Sequence, residues 1–142
     1  MKRILVLIAF AAMTPAVLAD DRAAKDLKKY QGNWSAVAVR IGSDKQLTDD
    51  ELKKTRLVVT GNKFTLTFND QTITGTFTLD PSQKPNQIDV VLDGSDKAKL
   101  IGVYEIQGNE RRTCFAGSDR ARPKGVADMG EGILSFHWKR QP

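Results

Sequence analysis

Between residues 33 and 140 the chain repeats one pattern eight times: a short run of alternating apolar and polar side chains, closed by glycine, asparagine, aspartate or proline. Alternation places successive side chains on opposite faces, so each run reads as a strand with one buried and one wetted face. In residues 63–68, Phe64, Leu66 and Phe68 alternate with Thr65 and Thr67, and in residues 72–79 Ile73, Phe77 and Leu79 alternate with threonines. Further strands are predicted at 33–41, 56–60, 88–92, 99–107, 110–116 and 132–140. Gly61-Asn62 and Gly108-Asn109 are two-residue connections suited to the primed turns of hairpins. Short strands at such spacing leave two architectures, a closed meander or an antiparallel sandwich. Only closure removes the exposed edges. The predicted fold is therefore all-β, an eight-stranded antiparallel up-and-down barrel.

Two helices interrupt this pattern. Ala23, Ala24, Leu27 and Tyr30 recur at helical spacing, which predicts a short N-terminal helix ending by Gly32. Between the first two strands, Thr48 and Glu51 form a capping box, with Leu47 and Leu52 at the positions of a hydrophobic staple. A helix of one or two turns is expected there. The whole connection, residues 42–55, is long enough to suggest a lid over one end of the barrel.

The start of the chain has a different character. Lys2 and Arg3 precede an apolar stretch that ends in Val17-Leu18-Ala19, the order of a secretory signal peptide cleaved after Ala19. The expected organisation is a signal segment at 1–19 and one domain at 20–142, secreted or periplasmic, with no membrane span. The apolar stretch is shorter than the roughly 20 residues that a span needs. Removing Lys2 and Arg3 lowers the excess of basic over acidic residues from five to three. Both signs are mixed along the chain, and the aromatics fall on inward positions. No nucleic-acid partner is expected.

The residues offer little catalytic chemistry. Cys114 and His137 are the single cysteine and the single histidine, on strands predicted to be neighbours. A buried, unreactive thiol and a solvent-facing imidazole account for them more simply than a nucleophile and its base. One histidine and one cysteine do not make a zinc site, and Asp93-Gly94-Ser95-Asp96 lacks the acidic spacing of a calcium loop. No enzyme activity and no cofactor are expected.

Gly32-Asn33-Trp34, at the start of the first strand and just after a helix, resembles the Gly-x-Trp signature of lipocalins. The resemblance implies that Trp34 closes one end of the barrel, with Lys139 or Arg140 packed across its indole. The Thr-Asp-Tyr signature of many lipocalins is replaced by Gln107-Gly108-Asn109-Glu110. More of the chain resembles a lipocalin-like domain family of unknown function that is abundant in planctomycete bacteria. The matching segments include Leu57 through Phe64, Gly75 through Pro81, Lys84 through Asp89, Gly102 through Glu105, Cys114-Phe115-Ala116 and Arg122-Pro123. Glu110-Arg111-Arg112 departs from that family's more apolar strand start, and Lys124-Gly125-Val126 lacks its usual aromatic.

An eight-stranded barrel either fills with side chains or holds one small ligand. Small inward residues (Ala36, Ala38, Gly75, Gly102) leave room, whereas Phe64, Phe68 and Phe77 take it away. The expectation is a monomeric, exported binding protein for a small apolar ligand, with Arg40, Phe68, Phe77, Tyr104 and Arg112 as candidate contacts. Arg40 or Arg112 would place a cation near the mouth. Gly32, Trp34, Cys114, Lys139 and Arg140 are expected to be structural. The alternative is a protein-interaction or structural module with a filled barrel.

Overall fold

The structure, a computed structural model, describes residues 15–94 and 96–142. The signal segment expected at 1–19 lies largely outside the described residues, and the first helix, α1 (Pro15–Tyr30), runs through the expected cleavage point. The strands follow as β1 (Gly32–Ile41), β2 (Lys45–Gln46), β3 (Arg56–Thr60), β4 (Lys63–Phe68) and β5 (Gln71–Asp80). After them come β6 (Gln87–Leu92), β7 (Lys99–Gln107), β8 (Glu110–Gly117) and β9 (Leu134–Arg140), with a second helix, α2 (Asp49–Lys53), between β2 and β3. Every pairing is antiparallel and sequential from β3 to β9, and β1 pairs with both β3 and β9. The expected eight-stranded barrel is closed. No helix among the described residues is long and apolar enough to cross a membrane.

The wall is irregular at one strand. On its β9 side, β1 pairs along its length but shifts register between Ala36 and Ala38. A bulge of this kind adds one residue, so inward and outward positions exchange beyond it. Trp34 and Ala36 pack inward before the bulge, and Val39 packs inward after it. On its other side β1 meets β3 only through Gly32–Ser35. Residues 42–55 occupy the gap beyond, where the Ala36 amide bonds to the Thr55 carbonyl at 3.3 Å, the Leu47 amide bonds to Val39 at 3.0 Å, and β2 pairs with Arg40 and Ile41.

The capping box in this segment forms as expected: the Thr48 hydroxyl accepts from the Glu51 amide, and the Glu51 carboxylate accepts from the Thr48 amide. The bond from the Thr48 amide, with a second from the Asn69 side chain, holds the Glu51 carboxyl below its usual range. The Thr55 hydroxyl, fully buried, donates to the Glu51 carbonyl at 2.8 Å and closes the other end. The segment is thus part of the wall beside β1. It is not a lid over the barrel mouth.

One end of the barrel is sealed by α1. The helix leaves its last carbonyls without intrahelical partners, and the barrel and the linking residue Gln31 supply donors there. The Trp34 indole donates to the Tyr30 carbonyl at 3.0 Å, the Gln31 side chain donates to Leu27 at 2.9 Å, and Arg140 donates to the carbonyls of Lys29 and Gln31. A guanidinium at a helix C-terminus also complements the helix dipole. From the side, the Tyr104 hydroxyl donates to the Asp26 carboxylate at 2.7 Å. Tyr30, Trp34 and Tyr104 are almost fully buried as a result.

A second, smaller core lies outside the barrel. Val103, Cys114, Ala116 and Ile133 are buried together under residues 118–133, with Val126 against them. Arg122 fastens this loop to the wall, pairing with Asp89 at 2.8 Å and donating to the carbonyls of Gly102 and Ile88.

Candidate functional site

The barrel encloses a cavity of about 240 Å³. Strand register gives its depth. Arg111, Thr113 and Phe115 of β8 lie opposite Trp138, Phe136 and Leu134 of β9, which in turn lie opposite Ala36, Val39 and Ile41 of β1. Because β1 starts at the end sealed by α1, the first of these layers is the floor and the last is the rim. Phe68, Ile73, Ile41 and Leu134 line the rim, and Val90, Leu92, Leu66 and Phe136 are among the side chains that line the wall. Ile41 and Ile73 are 37% exposed, so the rim meets solvent. Apart from Tyr30, Arg111 and Thr113, the lining is hydrocarbon and aromatic.

Two glycines shape the wall in an unexpected way. A Cβ on Gly75 would sit 2.9 Å from the Phe64 ring, and one on Gly102 would sit 2.6 Å from the Phe115 ring. Each glycine is the register partner of that phenylalanine. The glycines therefore let a neighbouring ring lie flat against the sheet. They do not leave open space, as their inward positions suggested. Ala38 contributes no space either, because the bulge turns it outward and exposes it.

The floor holds a buried cation. Arg111 is 3% exposed, its guanidinium 3.8 Å from the centroid of Tyr30 and 4.8 Å from that of Trp34. These aromatic faces attract the charge, and they are stronger partners when desolvated. No carboxylate among the described residues pairs with it, and Nε and Nη1 lack any hydrogen-bond partner. The hydroxyls of Tyr30 and Thr113 are likewise buried and unpartnered. Burial pushes the Arg111 guanidinium down to about 10, helped by repulsion from Arg140, so it remains charged at neutral pH. Burial pushes the Tyr30 phenol up to about 12, although the Arg111 charge works in the opposite direction. Both groups therefore hold their protons at neutral pH.

Of the residues singled out in the sequence, Phe68 and Phe77 line the cavity. Arg40 does not: the bulge turns it outside the barrel, where it contacts the Met129 sulfur at 2.8 Å. Arg112 is exposed on the outer face of β8, one residue from the cation that does point inward. Tyr104 lies behind Tyr30, the two rings edge to face at 5.5 Å, and serves as a strut for α1. Burial is the main cause that raises its phenol.

The expected stack on Trp34 forms with Arg140, whose guanidinium lies 4.4 Å from the indole centroid, whereas Lys139 is exposed. Gly32 starts β1 at a φ of 111°, in the region that favours glycine, with Arg140 close above it. Cys114 is fully buried and donates to the Asp128 carbonyl at 3.4 Å, and burial with the nearby Asp128 charge pushes its thiol up to about 11. It lies opposite Ser135, while His137 lies opposite Arg112 and 3.4 Å from the Glu110 carboxylate.

Among the described residues no group of three or more His, Cys, Asp or Glu side chains is placed to hold a metal. No protein-family model, curated protein or solved structure matches the chain.

Proposed function

We propose that this is an exported, lipocalin-like carrier that holds one small apolar molecule inside its barrel. The observation that carries the reading is the cavity, about 240 Å³ and lined almost wholly by hydrocarbon and aromatic side chains. That volume is close to the lower bound of small-molecule sites, roughly 300 Å³, so the cargo is compact. A sealed floor and a rim with exposed Ile41 and Ile73 give one way in. The cavity favours a carrier over a filled barrel acting through its loops. Export rests on the N-terminal sequence, and the family assignment rests on the segments that resemble the planctomycete domain.

The test is displacement of a fluorescent apolar probe, together with native mass spectrometry of the protein purified from its host. Saturable one-to-one probe binding and a retained small molecule support the carrier. Val90→Phe, which adds bulk to the cavity wall, should fold and lose the probe. Absence of saturable binding in the wild type would return the filled-barrel module as the better reading.

A further inference from the structure

We propose that the cargo is a medium-chain carboxylate, bound with its acid group on Arg111 at the floor and its hydrocarbon chain towards the rim. The inference rests on the carrier reading above and adds the ligand's chemistry and direction. A buried charge is costly unless it is paired and hydrogen-bonded. Arg111 has aromatic faces but no anion, and two of its nitrogens have no acceptor among the described residues. An arginine that served only to pack against Trp34 would duplicate Arg140, whose guanidinium is used on the carbonyls of Lys29 and Gln31.

The Tyr30 and Thr113 hydroxyls, also buried and unpartnered, add two donors beside it. A carboxylate accepts from several donors at once and cancels the charge. The groups facing Arg111 are the Tyr30 phenol from α1 and the Arg140 guanidinium from β9, with Asp26 beyond Tyr30. None of them is an anion in contact with the guanidinium.

The layers above the floor fit the rest of such a molecule. From Thr113 and Phe136 up to Leu134, Phe115 and Ile41 the lining offers no further charge. The cavity volume equals roughly eight water volumes, which suits an acid of about eight to ten heavy atoms and not a long-chain lipid.

The experiment compares octanoate with 1-octanol, the same chain without charge, by calorimetry at neutral pH. Octanoate should bind about tenfold tighter or better, the usual scale of a charge-assisted hydrogen bond. Arg111→Met should erase that preference, costing octanoate at least tenfold more affinity than it costs 1-octanol. A second readout needs no variant: the carbon-13 signal of carboxyl-labelled octanoate bound to the wild type should titrate below its value in water, because the guanidinium favours the ionised form. Equal binding of acid and alcohol, or a bound carboxyl that titrates at or above its free value, overturns the proposal and leaves the carrier standing. If neither compound binds while the fluorescent probe does, the acid class is also rejected. If nothing binds at all, the carrier reading fails, and this inference fails with it.

Discussion

The two ends of the barrel solve opposite problems. At the sealed end, one set of polar groups ties the helix to the barrel: the Trp34 indole, Arg140, Gln31 and the Tyr104 hydroxyl each satisfy a carbonyl or carboxylate of α1. At the rim, Ile41, Phe68 and Ile73 are apolar and partly wet. On the floor Arg111 shares the aromatic environment of the seal and yet has no anion as partner among the described residues. The comparison separates groups that hold the fold together from a group the fold tolerates at a cost. A barrel that only needed closing would use the first kind alone.

The largest effect should come from the seal itself. Trp34→Ala removes a fully buried indole and a donor to Tyr30, and should cost about 3–5 kcal/mol of stability by thermal or denaturant unfolding. A variant that unfolds like the wild type would mean that α1 closes nothing. Next, Tyr104→Phe strips the Asp26 carboxylate of its donor and should cost about 1–3 kcal/mol, with faster hydrogen exchange confined to α1. Exchange spreading evenly over the strands instead would show that the strut supports the barrel and not the helix.

Arg111→Met should behave differently from both, holding or raising the thermal midpoint at neutral pH, because an uncompensated buried charge is replaced by an apolar chain. Alkaline pH sharpens this contrast. The Arg111 guanidinium is held down to about 10, well below the ordinary arginine range, so its burial cost is fully present below pH 10 and is relieved as pH rises above it. The Tyr30 phenol runs the other way: raised to about 12 from 10.0, it contributes stability that is lost as pH climbs between those values. In the wild type the two trends oppose each other. Without Arg111 only the loss remains, so Arg111→Met should lose stability more steeply than the wild type from pH 10 to 12. Parallel curves would show that the guanidinium is not desolvated.

The smallest effect belongs to the rim. Ile73→Gln should change stability by no more than about 0.5 kcal/mol, because its side chain is already partly in water. A large loss there would mean that the rim is packed shut, and the contrast between the two ends would disappear.

Much of this was legible in the sequence because it is local. Strand alternation in 63–79, the turns at Gly61-Asn62 and Gly108-Asn109, and the capping box at Thr48 each depend on residues a few positions apart, and all of them formed. Closure followed from the number of strands and the need to hide their edges. Trp34 and Arg140, more than a hundred residues apart, were paired by a resemblance and not by a local rule.

The site was another matter. Which face of β8 points inward is undetermined by alternation, because Cys114 and Ala116 on its outer face are buried under residues 118–133 as thoroughly as Thr113 and Phe115 are inside the barrel. Arg111 and Arg112 are therefore indistinguishable until that loop is placed. Arg40 misled for a related reason: Val37, Val39 and Ile41 alternate as well as Trp34, Ala36 and Ala38 do, and only the pairing of β1 with β9 shows where the bulge exchanges the two sets. Sequence by itself determined the strands, their turns and the closed barrel, since these follow from side-chain period and edge removal. The tertiary structure alone decided which arginine is inside, because a one-residue shift in register, or a loop laid over a strand, changes the burial of a side chain without changing its neighbours in the chain.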